Sequence, residues 1–426
     1  MRMLVNRNSV FILVVLSFVA LQCRRQTPTV TRQNFAPYYA PDKKPLQPSY
    51  VVYNVSDSVS RLYFSVQSND LLYARNEQEN NYFARILLNY VVHPLNAKKF
   101  VSDSGHIVMS DVNNPGVNKI LAGAVDFDLT TPGKYFLELT FRDLNKMTIS
   151  HNILYLDNSS VDAKNNFLIT PAGTETPFFR NYLDSGELIA VRHRQSKVQA
   201  LYFHYYKNEF GPAPPPYAAL GPLPFPTPDS MWALHPSQAE AISLDLPGYY
   251  IISTSKDSRT GTTLCRFHPD YPKVTEVNQL IYPLRYLTTK QEYQEMLTAS
   301  NKKKAVDDFW LGKGGSEMRA RELIRHFYFR VEAANRLFSS HKEGWKTDRG
   351  MIYLIFGPPS SVYRNADSET WFYGTEGTGN SLSFIFRRNS DGITDAEFVL
   401  DRSMNYKVAW IQAVDMWRQG QVYTAR

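Results

Sequence analysis

Cysteine is almost missing from this sequence: two occur in 426 residues, at positions 23 and 265, which excludes a disulfide-dense scaffold. Nine histidines are scattered at 93, 106, 151, 193, 204, 235, 268, 326 and 341, with no His-Glu-x-x-His string and no close pair on one helix face. That pattern points to no metal and no cofactor. Neither a Gly-x-Ser-x-Gly elbow nor a Gly-x-x-x-x-Gly-Lys phosphate loop is present. No apolar run reaches the roughly 20 residues of a membrane-spanning helix. Charge of one sign is not concentrated either. Basic residues number 47 against 40 acidic ones, and no basic stripe argues for nucleic acid.

What is present is apolar, aromatic and turn-rich. Hydrophobic residues make up 43% and charged residues 20%, so the chain is globular and long enough for two or three domains. Twenty-seven tyrosines, and 25 prolines against 21 glycines, favour strands joined by rigid turns. Residues 1–22 read as a signal peptide: Arg2 and Arg7 precede an uncharged run from Val10 to Leu21, and Cys23 follows directly. This arrangement resembles the lipobox of bacterial lipoproteins, with Gln22 departing from the usual small residue. The expectation is lipidation at Cys23 and attachment to a membrane through acyl chains, each buried methylene contributing about 0.8 kcal/mol. Cys265, beside Leu264 and Phe267, is then a lone buried thiol. Without Arg2 and Arg7 the charge is +5, a mild excess suited to an anionic membrane face or sugar acids. Residues 24–28 carry no acid, which favours the periplasmic face of the outer membrane. Residues 23–48 read as a flexible tether.

From 49 to 157 apolar residues alternate with polar ones. Examples are Leu62, Phe64 and Val66; Val125, Phe127 and Leu129; and Tyr135, Leu137, Leu139 and Phe141. Period two predicts half-buried strands, with the Asn113-Asn114-Pro115-Gly116 cluster as one separator. One string repeats: Phe127-Asp128-Leu129-Thr130-Thr131-Pro132-Gly133-Lys134-Tyr135 is echoed by Leu244-Asp245-Leu246-Pro247-Gly248-Tyr249-Tyr250. A strand, a Pro-Gly turn and an aromatic strand in both places suggest two tandem immunoglobulin-like β-sandwich domains, 49–157 and 165–272. The second carries an insertion, 211–228, with eight prolines in the 17 residues from Pro212. It reads as a stiff loop over a sandwich edge, the other reading being a segment that docks on a partner. Residues 276–426 read as an α+β domain: a helix over 291–309, a longer one capped by Ser316 and running to Phe338, strands over 351–356, 370–373 and 382–387, and a final helix over 406–418.

Between the long helix and the first of those strands stands Gly344-Trp345-Lys346-Thr347-Asp348-Arg349-Gly350. With Asp308-Phe309-Trp310, Asn335-Arg336-Leu337-Phe338 and Glu369-Thr370-Trp371-Phe372-Tyr373, it resembles the GWxTD domain-containing proteins. The resemblance implies a Gram-negative envelope protein, often a lipoprotein with sandwich domains ahead of this one, and carries no established activity. Physically the motif suits a corner. Gly344 ends a helix, Trp345 fills space, Thr347 and Asp348 cap backbone, Arg349 pairs with Asp348 or Glu369, and Gly350 allows close approach. The alternative is a binding or catalytic site, with Asp348 and Arg349 facing a cleft lined by Trp345, Trp310 and Trp371.

Other charged or glycine-rich strings read as structural. Asp307 and Asp308 are adjacent on a helix and point about 100° apart, so they cannot serve one glycosidase site. Gly312-Lys313-Gly314-Gly315-Ser316 reads as a helix connection, the alternative being amides that hold an anion; Lys302 to Lys304 as a solvated face that could touch lipid head groups; and His326 as an exposed or capping residue. The functional expectation is a non-enzymatic envelope lipoprotein that binds another envelope protein. A glycan- or peptidoglycan-binding lipoprotein and a hydrolase using Asp348 or Glu369 are the alternatives.

Overall fold

A computed structural model describes residues 33–40, 45–76, 80–97, 100–112, 116–129, 131–207, 210–219, 221, 225–365, 367–378, 381–389, 394 and 397–424. The signal peptide, Cys23, residues 24–32 of the tether, the Asn113-Asn114-Pro115 turn and part of the proline-rich insertion lie outside the described residues.

The first β region contains strands β1 (Ser49–Asn54), β2 (Val59–Gln67), β3 (Ala74–Asn76), β4 (Asn81–Pro94), β5 (Asp103–Val112), β6 (Ile120–Asp128), β7 (Lys134–Asp143) and β8 (Ile149–Asp157). They form two antiparallel sheets, β1-β2-β6 and β3-β4-β7-β8, with β5 also pairing β4. The period-two pattern decides which faces meet. Leu62, Phe64 and Val66 of one sheet and Leu137, Leu139 and Phe141 of the other are buried in one shared core.

The second β region holds β9 (Phe167–Pro171), β10 (Leu188–His193), β11 (Leu201–Lys207), β12 (Ser230–Leu234), β13 (Ile242–Ser243), β14 (Gly248–Ser253) and β15 (Thr262–Arg266). Their antiparallel sheets run β13-β10-β9 and β12-β11-β14-β15. β14 is buried at every position because it is covered twice. Tyr250 and Ile252 face the core between the two sheets, while Tyr249 and Ile251 join Cys265, Phe267 and Tyr271 on the opposite side. The repeated string has the same local geometry in both regions. Tyr135 Oη donates to the Thr131 carbonyl at 2.6 Å and Tyr250 Oη to the Leu246 carbonyl at 2.7 Å, each closing the turn four residues back.

The carboxy-terminal region has helices α1 (Val277–Ile281), α2 (Lys290–Thr298), α3 (Lys302–Gly314), α4 (Glu317–Phe338), α5 (Asp348–Phe356) and α6 (Tyr406–Arg418) around an antiparallel sheet. That sheet is β16 (Ser361–Arg364), β17 (Ser368–Tyr373), β18 (Leu382–Arg388) and β19 (Phe398–Leu400), in that order. The Ser316 side chain caps α4 by accepting from Arg319 N. Among the described residues no helix is long and apolar enough to cross a membrane.

Four sequence expectations need correction. Residues 351–356, expected as a strand, are the body of α5, and all nine residues of that helix are buried. A wholly apolar run fits a buried helix as well as a buried strand, and the cap decides: Thr347 Oγ1 accepts from Gly350 N at 3.0 Å. The helix expected over 291–309 is two, α2 and α3, because the Asn301 side chain caps a new start at Lys304 N. The tether is not loose over 33–40. Phe35, Ala36 and Tyr39 are buried in the core of the carboxy-terminal region, and Phe35 N donates to the Val362 carbonyl at 2.8 Å. Finally, the proline-rich insertion covers no edge of its own β region over 213–216. Those residues lie on the carboxy-terminal domain, as the next section describes, while Phe225, further along the insertion, packs against Tyr206 of β11 in its own β region.

Candidate functional site

The GWxTD string begins where α4 ends, and two of its glycines are required by close backbone approach. A Cβ on Gly344 would stand 1.9 Å from the Ala334 carbonyl oxygen, and one on Gly350 would stand 1.8 Å from that of Gly344. The string folds back on itself between these contacts. Thr347 Oγ1 donates to the Gly344 carbonyl at 2.7 Å while capping α5. Trp345 is buried, and its backbone N–H donates to Asn335 Oδ1 at 3.2 Å.

The two charged motif residues leave in different directions. Arg349 does not pair with Asp348. Its Nη1 donates to Glu369 Oε1 on β17 at 3.3 Å, and its guanidinium lies over the rings of Phe338 and Phe398. Glu369 is 4% exposed and is the centre of a knot. Arg364 Nε is 3.0 Å from its Oε1, while Tyr39 Oη and Trp371 Nε1 donate to Oε2 at 2.9 and 3.1 Å. Burial opposes ionisation of Glu369, but Arg364 and Arg349 overcome it and hold the carboxyl below its ordinary value. Burial drives the Tyr39 phenol up to about 12, so it stays a donor.

Asp348 instead faces Arg402, whose Nη1 and Nη2 donate to it at 2.9 and 2.5 Å, and it accepts Leu400 N at 2.8 Å. The same Arg402 donates to the Pro214 carbonyl at 3.2 Å. The proline-rich segment is fixed at two more points: Ala213 N donates to the Lys346 carbonyl, and Tyr286 Oη donates to the Ala213 carbonyl. The motif thus binds its own chain on two sides, the 33–40 segment through Glu369 and the proline strap through Asp348 and Lys346.

The expected cleft does not form. Trp310 and Trp371 have no exposed surface and Trp345 is 6% exposed, so the three rings are packing elements. Asp348 and Glu369 are both buried. Five of the six tryptophans are buried and the sixth, Trp232, stacks on Phe203. Three partners in this site had no signal near the motif: Tyr39, Arg364 and Arg402. Asn335 stood in a quoted family string, but its role in holding Trp345 was not legible there.

The other candidates are structural in place. Cys265 is buried, its Sγ donates to the Ser340 carbonyl at 3.0 Å, and burial pushes the thiol well above its ordinary value. Asp307 and Asp308 pair with Lys303 and Lys304 one turn earlier on α3, His326 is exposed, and Gly315 ends α3 in the left-handed region.

The family model of the GWxTD domain matches residues 248–419. Its start coincides with β14, upstream of the boundary expected at 276. Strands β14 and β15 present their outer face to this region, and Tyr271 just after them donates to the Asn335 carbonyl at 3.2 Å. No curated protein matches the chain.

Proposed function

Because the chain is a member of the GWxTD domain-containing family, we propose that it is a non-enzymatic lipoprotein of the cell envelope that holds another envelope protein in place. In this reading Cys23 carries the acyl group, the outer membrane takes the anchor, and the folded part occupies the periplasmic face. One observation carries it: the polar groups of the motif are spent on fastening three distant parts of one chain to each other. Asp348, Arg349 and Glu369 are buried, with Arg349 paired to Glu369 and Asp348 to Arg402, an arrangement that suits a rigid framework and leaves little room for a substrate. We take the two β regions as immunoglobulin-like sandwiches, a reading supported by their paired sheets and the matching Tyr135 and Tyr250 turns.

Affinity purification of the full-length, membrane-anchored protein after crosslinking in its own cells tests the proposal. A membrane or secretion component recovered in stoichiometric amount supports it. Recovery of the protein alone and monomeric, or release into the soluble fraction unchanged by Cys23→Ala, would sink it.

A further inference from the structure

Beside the GWxTD string, against α1 and α4, lies a cavity of about 180 Å³. Sites that bury a whole drug-sized ligand span roughly 300–1,000 Å³, so this one holds a single ring or a single side chain. Its walls are fixed from within the chain. Trp345 is held by Asn335, and Val274 N donates to Glu332 Oε1 on α4 at 3.1 Å.

One group in the wall lacks what it needs. Gln279 Oε1 accepts from Thr275 N at 2.9 Å and from Glu276 N at 3.1 Å. Two backbone donors on that atom identify it as the oxygen, so the amide nitrogen points the other way. That Nε2 is buried with no hydrogen-bond partner among the described residues. An unpaired buried donor is costly, and it calls for an acceptor in the adjoining space.

The rest of the wall narrows the class of acceptor. Glu276 and Glu343 bring carboxylates and His268 an imidazole. His268 Nδ1 lies 2.7 Å from the Pro269 carbonyl, which leaves Nε2 of the uncharged ring to accept. Glu343 Oε2 is 2.7 Å from Lys346 Nζ, so half of the acidic charge in the wall is already balanced and a bare cation is not what it selects. Tyr282, 40% exposed, adds an aromatic ring. A neutral ligand that donates, accepts and carries an apolar face answers all of these groups, and a hydroxylated ring has all three properties.

We infer that this cavity binds one pyranose ring of a glycan. A ligand oxygen accepts from Gln279 Nε2, hydroxyls donate to Glu276 and His268, and one face of the ring packs on Tyr282. The inference goes beyond the scaffold reading and does not depend on it, since none of these residues fastens the chain at Asp348 or Glu369.

The full-length protein in detergent, probed against an array of bacterial surface and peptidoglycan oligosaccharides, tests it, with calorimetric titration of the strongest binder. Gln279→Glu keeps the acceptor for Thr275 N and Glu276 N and removes only the donor. Its thermal midpoint should match the parent while affinity falls at least tenfold. Tyr282→Ala should weaken binding by a similar factor, and Met318→Ala, at an exposed position on α4, should leave it unchanged. An array signal no higher for the parent than for Gln279→Glu would show that the cavity holds water alone. Binding of parental strength in both Gln279→Glu and Tyr282→Ala would place the glycan elsewhere. Displacement of the oligosaccharide by tri-arginine but not by its own terminal monosaccharide would assign the cavity to a basic side chain. Each of these three results overturns the inference, and none alters what affinity purification says of the scaffold.

Discussion

Tyr39 and Glu369 are separated by 330 positions, yet the tyrosine hydroxyl donates to the glutamate at 2.9 Å inside the carboxy-terminal core. The contact is sealed by packing. Tyr39 lies against Trp371 and Phe338, and Phe35, with no exposed surface, lies beneath Arg364. An amino-terminal segment that looks like linker therefore completes a domain that begins more than two hundred residues later.

Phe35→Ala should destabilise the carboxy-terminal domain by about 3–5 kcal/mol, the cost of emptying a buried aromatic site. Tyr39→Phe should cost about 1–3 kcal/mol, because it leaves a buried acceptor short of one donor. Urea unfolding followed by tryptophan fluorescence reads both, since Trp371 belongs to the same cluster. An unchanged midpoint for Phe35→Ala would mean that the segment is no part of this core.

Ala at Gly350 or Gly344 should be among the most damaging single changes in the chain. The added carbon would meet a backbone oxygen at 1.8 or 1.9 Å, and backbone cannot swing aside as a side chain can. A loss beyond the usual ~1–3 kcal/mol of overpacking is expected. Soluble variants with parental thermal midpoints would refute the close approach.

Asp348→Asn should cost about 3–5 kcal/mol, because Arg402 keeps its buried charge and loses its counter-ion. The proline strap should loosen with it, since Arg402 also holds the Pro214 carbonyl. Limited proteolysis around 211–217 should accelerate in this variant. Cleavage at the parental rate would show that the strap is held without the ion pair.

Burial, with a smaller contribution from Lys342, lowers the His341 imidazole from 6.5 to about 3. The unfolded chain binds this proton near 6.5 and the folded chain only near 3. The contribution is therefore complete above 6.5 and is lost as pH falls towards 3. His341→Gln should flatten the dependence of stability on pH between those limits. Parallel curves for parent and variant, from urea midpoints at several pH values, would rule this out.

Tyr250→Phe should cost about 0.5–1.5 kcal/mol, as a single intramolecular hydrogen bond does, and Tyr135→Phe a similar amount or somewhat more, because its hydroxyl also bonds the Thr131 hydroxyl at 2.7 Å. Each hydroxyl has one backbone acceptor at the same offset. Widely different losses would show that the two turns are only superficially alike.

Local chemistry was legible in the sequence, and long-range chemistry was not. Alternation at Leu62, Phe64 and Val66 placed a strand and its buried face because the period of two is a local property. Ser316 announced α4 through its cap. The repeated Pro-Gly-x-Tyr string carried its own hydrogen bond, since donor and acceptor are four residues apart. The run Met351 to Phe356 misled because an element buried on every side has no periodicity to read. Arg349 has two acidic neighbours in principle, and only the fold decides for Glu369 over Asp348. Tyr39 lies 330 positions from its partner Glu369 and Arg402 lies 54 from its partner Asp348, and nothing in their own surroundings marks either contact.

If Cys23 carries the proposed anchor, the insertion of residues 33–40 ties the leash first to the carboxy-terminal domain. Gln33 follows Cys23 by ten positions, a leash of no more than about 35 Å at full stretch. With the acyl group proposed on Cys23, the last domain in the chain would be held within that leash of the membrane surface. The first β region, though encoded earlier, would then depart from a domain already moored.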